Sequence, residues 1–141
     1  MANGISETRD KVSICASKHD VYKLLTEGES APFNTMKDLF LAAAAWGVRK
    51  NLSVPLAKRV SVFTWTQFSL QEDIPFIHAL LVSSGIGLEL LLEQAKLLDL
   101  LEGYANGGID ELSEDLVAAG KPTVRWINKV LAEVADTPEP T

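Results

Sequence analysis

The sequence has little of what disulfide and metal chemistry require, with one cysteine and two histidines in 141 residues. One cysteine cannot form an intramolecular disulfide, and residues 1–11 carry charges where a signal peptide would need an apolar stretch. These two features predict a cytoplasmic protein. His19 and His78 lie far apart and have no second ligand at helical spacing, so we expect neither a metal site nor another cofactor.

Long apolar runs and an excess of positive charge are also missing. Residues 40–48 are too few to cross a bilayer, and residues 74–92 contain His78 and Glu89, so we expect no membrane-spanning helix. The net charge of -6 excludes a strongly cationic protein that coats nucleic acid without specificity.

The apolar residues that are present recur at helical spacing over most of residues 18–134. This pattern predicts a mainly α protein: a compact single-domain helical bundle of five or six helices, with at most a small two-stranded β element. The predicted helices are 18–27, 36–50, 73–84, 88–104, 110–119 and 123–134, and the predicted strands are 11–16 and 59–66. Residues 1–10 and 136–141 are predicted to be flexible, which leaves residues 11–135 as the domain.

Two details of the helices bear on packing. The small residues Ala42 to Ala45 would let another helix approach closely. The leucine-rich helix 88–104 is expected to be the central core helix, closed by a turn at Asn106-Gly107-Gly108.

Catalytic candidates are few. Cys15 has only Lys11 and Lys18 near it in sequence and no recognisable base, and His78 lies between apolar neighbours. The glycines at 85 and 87 are not followed by a phosphate-loop pattern. We therefore predict that the protein is not an enzyme, and an enzyme using Cys15 or His78 is the less favoured alternative.

Charge is distributed unevenly along the chain. Residues 31–66 carry five basic side chains against Asp38, and residues 67–120 carry ten acidic side chains against Lys96. One interpretation is that the basic segment contacts DNA phosphates while the acidic segment faces a basic partner protein. The other is that these charges serve solubility and the helix dipoles. The DNA-contact candidates are Lys37, Arg49, Lys50, Lys58 and Arg59, and the partner-contact candidates are Asp110, Glu111, Glu114 and Asp115.

Four sequence blocks, residues 21–28, 33–47, 54–56 and 102–108, resemble the dnd system-associated protein 4 family. The most specific is Tyr-Ala-Asn-Gly-Gly at Tyr104–Gly108, and the segment after Gly120 adds nothing to the resemblance. These proteins are encoded beside bacterial genes for DNA phosphorothioation and its linked restriction. The resemblance implies a cytoplasmic accessory component of a DNA-modification or anti-phage defence system, with no established catalytic residues to carry over.

Charge and resemblance together give the functional hypothesis. We expect a non-catalytic adaptor that binds a protein partner from such a system and makes weak contact with the DNA backbone. The alternative is a small regulatory or antitoxin-like protein-binding module without DNA contact.

Overall fold

Four α-helices and two short strands make up the part of the chain that the computed structural model describes, residues 10–28 and 31–118. In chain order these are β1 (Lys11–Cys15), α1 (His19–Thr26), α2 (Met36–Lys50), β2 (Arg59–Thr64), α3 (Asp73–Ser83) and α4 (Gln94–Ala118), with 3-10 turns at Ala16–Lys18, Trp65–Gln67 and Leu88–Leu92. The predicted mainly α class with one small sheet is confirmed, but five or six helices are more than the four found in this part. The predicted helix 123–134 and the tail 136–141 lie outside the described residues, as do residues 1–9.

β1 and β2 pair antiparallel, as the alternation of their residues predicts. The sheet buries Val12, Ile14 and Phe63 and packs on α4 and α2. This packing stabilises the sheet, since two strands alone are only marginally stable in water. A bulge shifts the register between Val12 and Ser13. At this bulge the Ser13 N–H donates to Glu102 of α4, which links the first strand to the last described helix.

α2 begins and ends where its sequence predicts. The Thr35 side chain caps it by accepting a hydrogen bond from the Asp38 N–H at 3.1 Å. Asn51 ends the helix in the left-handed conformation, with φ of 57°. α2 packs on α4 more extensively than any other two described elements pack on each other.

The turn predicted at residues 106–108 is wrong. α4 runs through these residues as one helix of 25 residues, so the helices predicted over 88–104 and 110–119 are parts of the same element. Asn and Gly are typical of a helix end when the sequence is read locally. Here these residues continue the helix and are buried, so tertiary packing overrides their local preference for a helix end.

The glycines allow the backbones of α2 and α4 to approach each other closely. A Cβ on Gly108 would lie 2.0 Å from the carbonyl oxygen of Ala43, and a Cβ on Gly47 would lie 2.1 Å from that of Tyr104. These two contacts also show that the helices run antiparallel. The close approach predicted from the alanines of α2 is confirmed, and α4 is the helix that makes it.

The start of the predicted central helix is also wrong. Residues 88–92 form a 3-10 turn, and α4 begins only at Gln94. Leu88 and Leu92 are exposed at 68% and 87%, so they are not part of the core, whereas Leu91 is partly buried against it. The buried leucines of the region, Leu97, Leu98 and Leu101, all belong to α4.

Aromatic side chains hold β2 against α2. Phe63 packs edge-to-face on Phe40 and on Phe68, with ring centroids 5.6 Å and 5.4 Å apart. Trp65 adds a third edge-to-face contact to Phe68 at 5.2 Å. Trp46 is buried in the same core, while Trp126 lies outside the described residues.

Candidate interaction surfaces

The five predicted DNA-contacting cations fall into three places. Arg49 and Lys50 are exposed in the last turn of α2, and Lys58 and Arg59 are exposed just before and at the start of β2. Lys37 lies at the other end of α2, and twelve residues of helix correspond to a rise of about 18 Å. The structure therefore does not bring Lys37 together with Arg49 and Lys50.

Lys37 instead forms an ion pair that fixes α3. Its Nζ lies 2.7 Å from Oδ2 of Asp73, the first residue of α3, and both side chains are largely buried. This hydrogen bond raises the pKa of Lys37 above its usual value, against the opposing effect of burial. Burial by itself raises the pKa of Asp73, but the hydrogen bonds from Lys37 and from the Ser69 N–H outweigh it and hold that pKa below its usual value.

Arg59 is likewise engaged with acidic side chains of the chain itself. Its guanidinium donates to Glu102 at 2.5 Å and lies 3.5 Å from the exposed Asp99. Glu102 is buried, and its second oxygen accepts the Ser13 N–H at 2.8 Å. The Glu102 carboxylate thus joins β1, β2 and α4. Arg59, which was predicted to contact DNA, therefore has a structural role as the cation of this link.

Sequence reasoning did not single out Glu102, although a signal for it was present. Leu98, Leu101, Ala105 and Ile109 are buried at helical spacing on α4, and Glu102 lies on the same stripe. A single carboxylate on an apolar stripe indicates a buried acid that needs a cationic partner.

A shallow pocket adjoins this ion pair. Its volume is about 290 Å³, and it lies between the segment that follows α2 and the middle of α4. Arg59 is the cation of the pocket lining, and its contacts with Glu102 and Asp99 neutralise it. The charge balance of the pocket therefore does not favour a phosphate.

The four predicted partner-contacting acids lie on α4, where Asp110 and Glu111 contact side chains of other elements. Asp110 forms an ion pair with Lys18, and the indole N–H of Trp46 donates to Glu111 at 3.3 Å. The ammonium of Lys50 lies 5.7 Å from the centre of the Trp46 ring, within the range of a cation–π contact. Glu114 is exposed and Asp115 is half-buried.

The two predicted catalytic candidates lie on different elements. Cys15 is buried at the end of β1, and His78 is half-buried on α3. The Cys15 Sγ lies 3.3 Å from the Ser17 hydroxyl. This hydrogen bond, together with bonds from the backbone at Lys58 and Ser17, lowers the pKa of the thiol below its ordinary value, to about 7, against the opposing effect of burial.

We expect alkylation of Cys15 by iodoacetamide to reach half its maximal rate near pH 7 in the folded protein. In urea the midpoint should lie near the ordinary thiol pKa of about 8.5. Ser17→Ala removes the largest cause of the shift and should move the folded midpoint upward. Because the folded pKa is the lower one, the thiol stabilises the fold above the unfolded pKa, and this contribution is lost as the pH falls through 7. Equal midpoints in the folded, variant and unfolded proteins would contradict this interpretation.

Two further findings concern the described residues only. No group of three or more His, Cys, Asp or Glu side chains among them is placed to hold a metal ion. Within residues 10–28 and 31–118, none of the helices combines the length and hydropathy needed to cross a bilayer.

Three of the four blocks that carry the family resemblance, residues 33–47, 54–56 and 102–108, meet in one place. Asn106 of the Tyr-Ala-Asn-Gly-Gly block donates its amide N–H groups to the carbonyls of Val54 and Pro55, at 3.1 and 3.3 Å. The next residue, Gly107, leaves space for Leu52, whose carbonyl oxygen would lie 2.3 Å from a Cβ. These blocks therefore specify how α4 receives α2 and the segment after it.

Comparison with known proteins decides the family. The model for DNA sulphur modification system-associated protein 4 matches residues 11–140. The chain belongs to this family. The match extends beyond the four blocks at both ends and includes the segment after Gly120, so the finding that this segment adds nothing to the resemblance is superseded. No curated protein and no solved structure matches the sequence.

Membership of the DNA sulphur modification system-associated protein 4 family connects the chain with a DNA sulphur modification system, and so with the other proteins of such a system. The description "associated" is in keeping with an accessory role. It names no partner and no bound nucleic acid.

Proposed function

We propose that this protein is a non-catalytic accessory component of a bacterial DNA sulphur modification and restriction system, in which it acts as a cytoplasmic adaptor between a partner protein and DNA. Family membership supports the system. The observation that carries the adaptor role is the separation of charge. Exposed cations cluster in sequence around the end of α2 and the start of β2, whereas acidic side chains line α4.

The DNA half of the proposal depends on Arg49, Lys50 and Lys58. All three are exposed, and the left-handed Asn51 turns the chain directly after the first two. Three phosphate contacts would lose about fortyfold in affinity between 50 and 200 mM salt, so DNA binding by the isolated protein should be weak. A bound partner would supply the remaining affinity by raising the effective concentration of DNA.

The protein-binding half involves the acidic face of α4. Asp110 and Glu111 have internal contacts with Lys18 and Trp46, which hold their carboxylates in place at the surface. Glu114 and Asp115 continue the same face by one turn. A basic surface on the partner is the complement of this arrangement.

Reversing Arg49, Lys50 and Lys58 to glutamate should weaken DNA binding by the assembled complex about tenfold or more and flatten its salt dependence. Arg59 is left unchanged, because a glutamate there would lie beside the buried Glu102 and unfold the protein. The measurement is DNA affinity of the purified complex at several salt concentrations.

The matched control reverses Lys11, Lys23 and Lys96, which are also exposed and give the same change in net charge. This control should keep DNA affinity close to that of the original complex. If both triple variants bind DNA equally well, or lose affinity equally, the DNA half of the proposal is wrong.

A regulatory protein-binding module without DNA contact is the second candidate. The observation in its favour is that Lys37 and Arg59, both predicted to contact DNA, are paired with acids of the chain itself. A complex that forms normally but gives the same DNA affinity with and without this protein would establish that candidate instead.

A further inference from the structure

α3 differs from the other described helices in the composition of its outer surface. From Ile74 to Leu88 the sequence contains no Asp, Glu, Lys or Arg, and up to Leu92 it contains only Glu89. A helix that is apolar on all sides normally lies inside a protein. In α3, however, only Ile77 and Leu81 are buried.

The outward side of α3 is uncharged over its full length. Pro75, Phe76, Ala79, Val82 and Ser83 are its exposed residues, and at 100° per residue they occupy one continuous arc of the helix. By contrast, the exposed residues of α4 include Lys96, Asp99, Asp110, Glu111 and Glu114. α3 thus presents an apolar side where the neighbouring helix presents charge.

The segment that follows α3 also exposes apolar side chains. Gly85, with φ of 102°, ends the helix, and the 3-10 turn then exposes Leu88 and Leu92. Val82 and Leu88 are six residues apart, so their Cα atoms are separated by no more than about 20 Å. We name the set formed by Pro75, Phe76, Ala79, Val82, Leu88 and Leu92 the apolar surface.

We propose that the apolar surface is a docking site for a partner protein that presents an amphipathic helix, with an apolar stripe flanked by lysine or arginine. An exposed apolar patch rimmed by polar residues is typical of a protein-binding site. The exposed Glu72 precedes α3, and the exposed Glu89 lies within the 3-10 turn Leu88–Leu92. These negative charges favour a partner with basic side chains. A helix in an apolar groove, flanked by opposite charge, is a common mode of recognition.

A second copy of this chain fits less well. It would bring a second Glu72 and a second Glu89 to the same interface and would join two molecules of net charge -6. Residues 119–141 of the same chain are the other possible occupant.

The first test uses a defined probe and the isolated full-length protein. A fluorescent peptide of about 18 residues, with a leucine stripe flanked by lysines, should bind, and the same peptide with glutamate in place of lysine should not. Val82→Glu and Leu92→Glu should each weaken binding about tenfold. Leu24→Glu is the matched control: Leu24 is 69% exposed on α1 beside Asp20 and Lys23, and this variant should change binding less than twofold.

The other occupants predict different outcomes for the same variants. If residues 119–141 cover the surface, Val82→Glu and Leu92→Glu should lower the melting temperature of the isolated protein, whereas Leu24→Glu should not. If a second copy covers it, the two variants should convert a dimer into a monomer in sedimentation. Either result, or equal peptide binding by all three variants, would overturn the proposal.

The proposal that the natural partner belongs to the DNA sulphur modification system rests on the proposed function. A second measurement distinguishes a failure of the apolar surface from a failure of the adaptor function. The purified protein is mixed with individually purified proteins of that system, with and without Leu92→Glu. Loss of one interaction in the variant supports both proposals. An interaction that is unchanged in the variant overturns the apolar surface and leaves the adaptor function standing. If no system protein binds while the lysine-flanked peptide does, the adaptor function fails and the docking surface stands.

Discussion

Glu102→Ala should lower the free energy of unfolding by about 2 kcal/mol or more, because it removes the hydrogen bonds that this buried carboxylate accepts from Ser13 and Arg59. The substitution deprives the Ser13 N–H of its acceptor and the Arg59 guanidinium of its closest carboxylate. A buried N–H without a partner adds about 1 kcal/mol or more to the loss. The measurement is equilibrium unfolding in urea, followed by circular dichroism.

Asp99→Ala provides the matched control, because Asp99 contacts the same guanidinium from the same helix but is exposed. A solvent-exposed ion pair contributes about 1 kcal/mol or less, so this variant should remain close to the original stability. If the two variants lose the same free energy, the link between β1, β2 and α4 through Glu102 does not stabilise the fold as described.

Gly108→Ala should destabilise the protein by about 2 to 3 kcal/mol, although alanine is the better helix former by about 1 kcal/mol. The added Cβ would lie 2.0 Å from the Ala43 carbonyl oxygen and 2.6 Å from the Gly47 nitrogen. Both atoms belong to the backbone of α2, so no side-chain rotation relieves the contact. The helices would have to move apart, and buried contacts along their interface would be lost.

Gly103→Ala tests the same substitution in the same helix against a different neighbour. Its Cβ would lie 2.8 Å from the hydroxyl of Ser53, an exposed residue whose side chain can rotate away. This variant should have unfolding free energy within about 1 kcal/mol of the original protein. If Gly108→Ala is as stable as Gly103→Ala in urea, the glycine contact is not what sets the approach of α2 and α4.

The parts of the fold that sequence could predict are those governed by neighbours along the chain. Thr35 and Asn51 bound α2 by well-known capping preferences, and Pro75 lies in the first turn of α3 as its missing N–H allows. The strand pair followed from β-branched and aromatic residues in alternation.

The parts that could not be predicted depend on residues far away in sequence. Gly107 and Gly108 indicate a turn unless Leu52 and Ala43 are known to lie against them. Without those contacts, the middle of α4 would be a poor helix, because each of its three glycines is less favourable than alanine by about 1 kcal/mol in a helix interior. The same limit applies to the candidate sites. Charge counting grouped Lys37 and Arg59 with Arg49, Lys50 and Lys58. It could not show that Lys37 and Arg59 are paired, because their partners, Asp73 and Glu102, lie 36 and 43 residues further along the chain.

The hydrogen bond from Ser13 to Glu102 joins residues 89 positions apart, and this separation has a consequence for folding during synthesis. β1 leaves the ribosome first, but its strand partner begins at Arg59 and the carboxylate at its bulge comes only with Glu102. At about 5 to 20 residues per second, the strand waits roughly 4 to 18 seconds for that carboxylate to be made. The contact between β1 and α4 therefore forms late, after α2 has been released and while α4 is still emerging. During that interval the apolar side chains of β1, Val12 and Ile14, lack the helix that buries them, and chaperones have their best opportunity to bind the nascent chain.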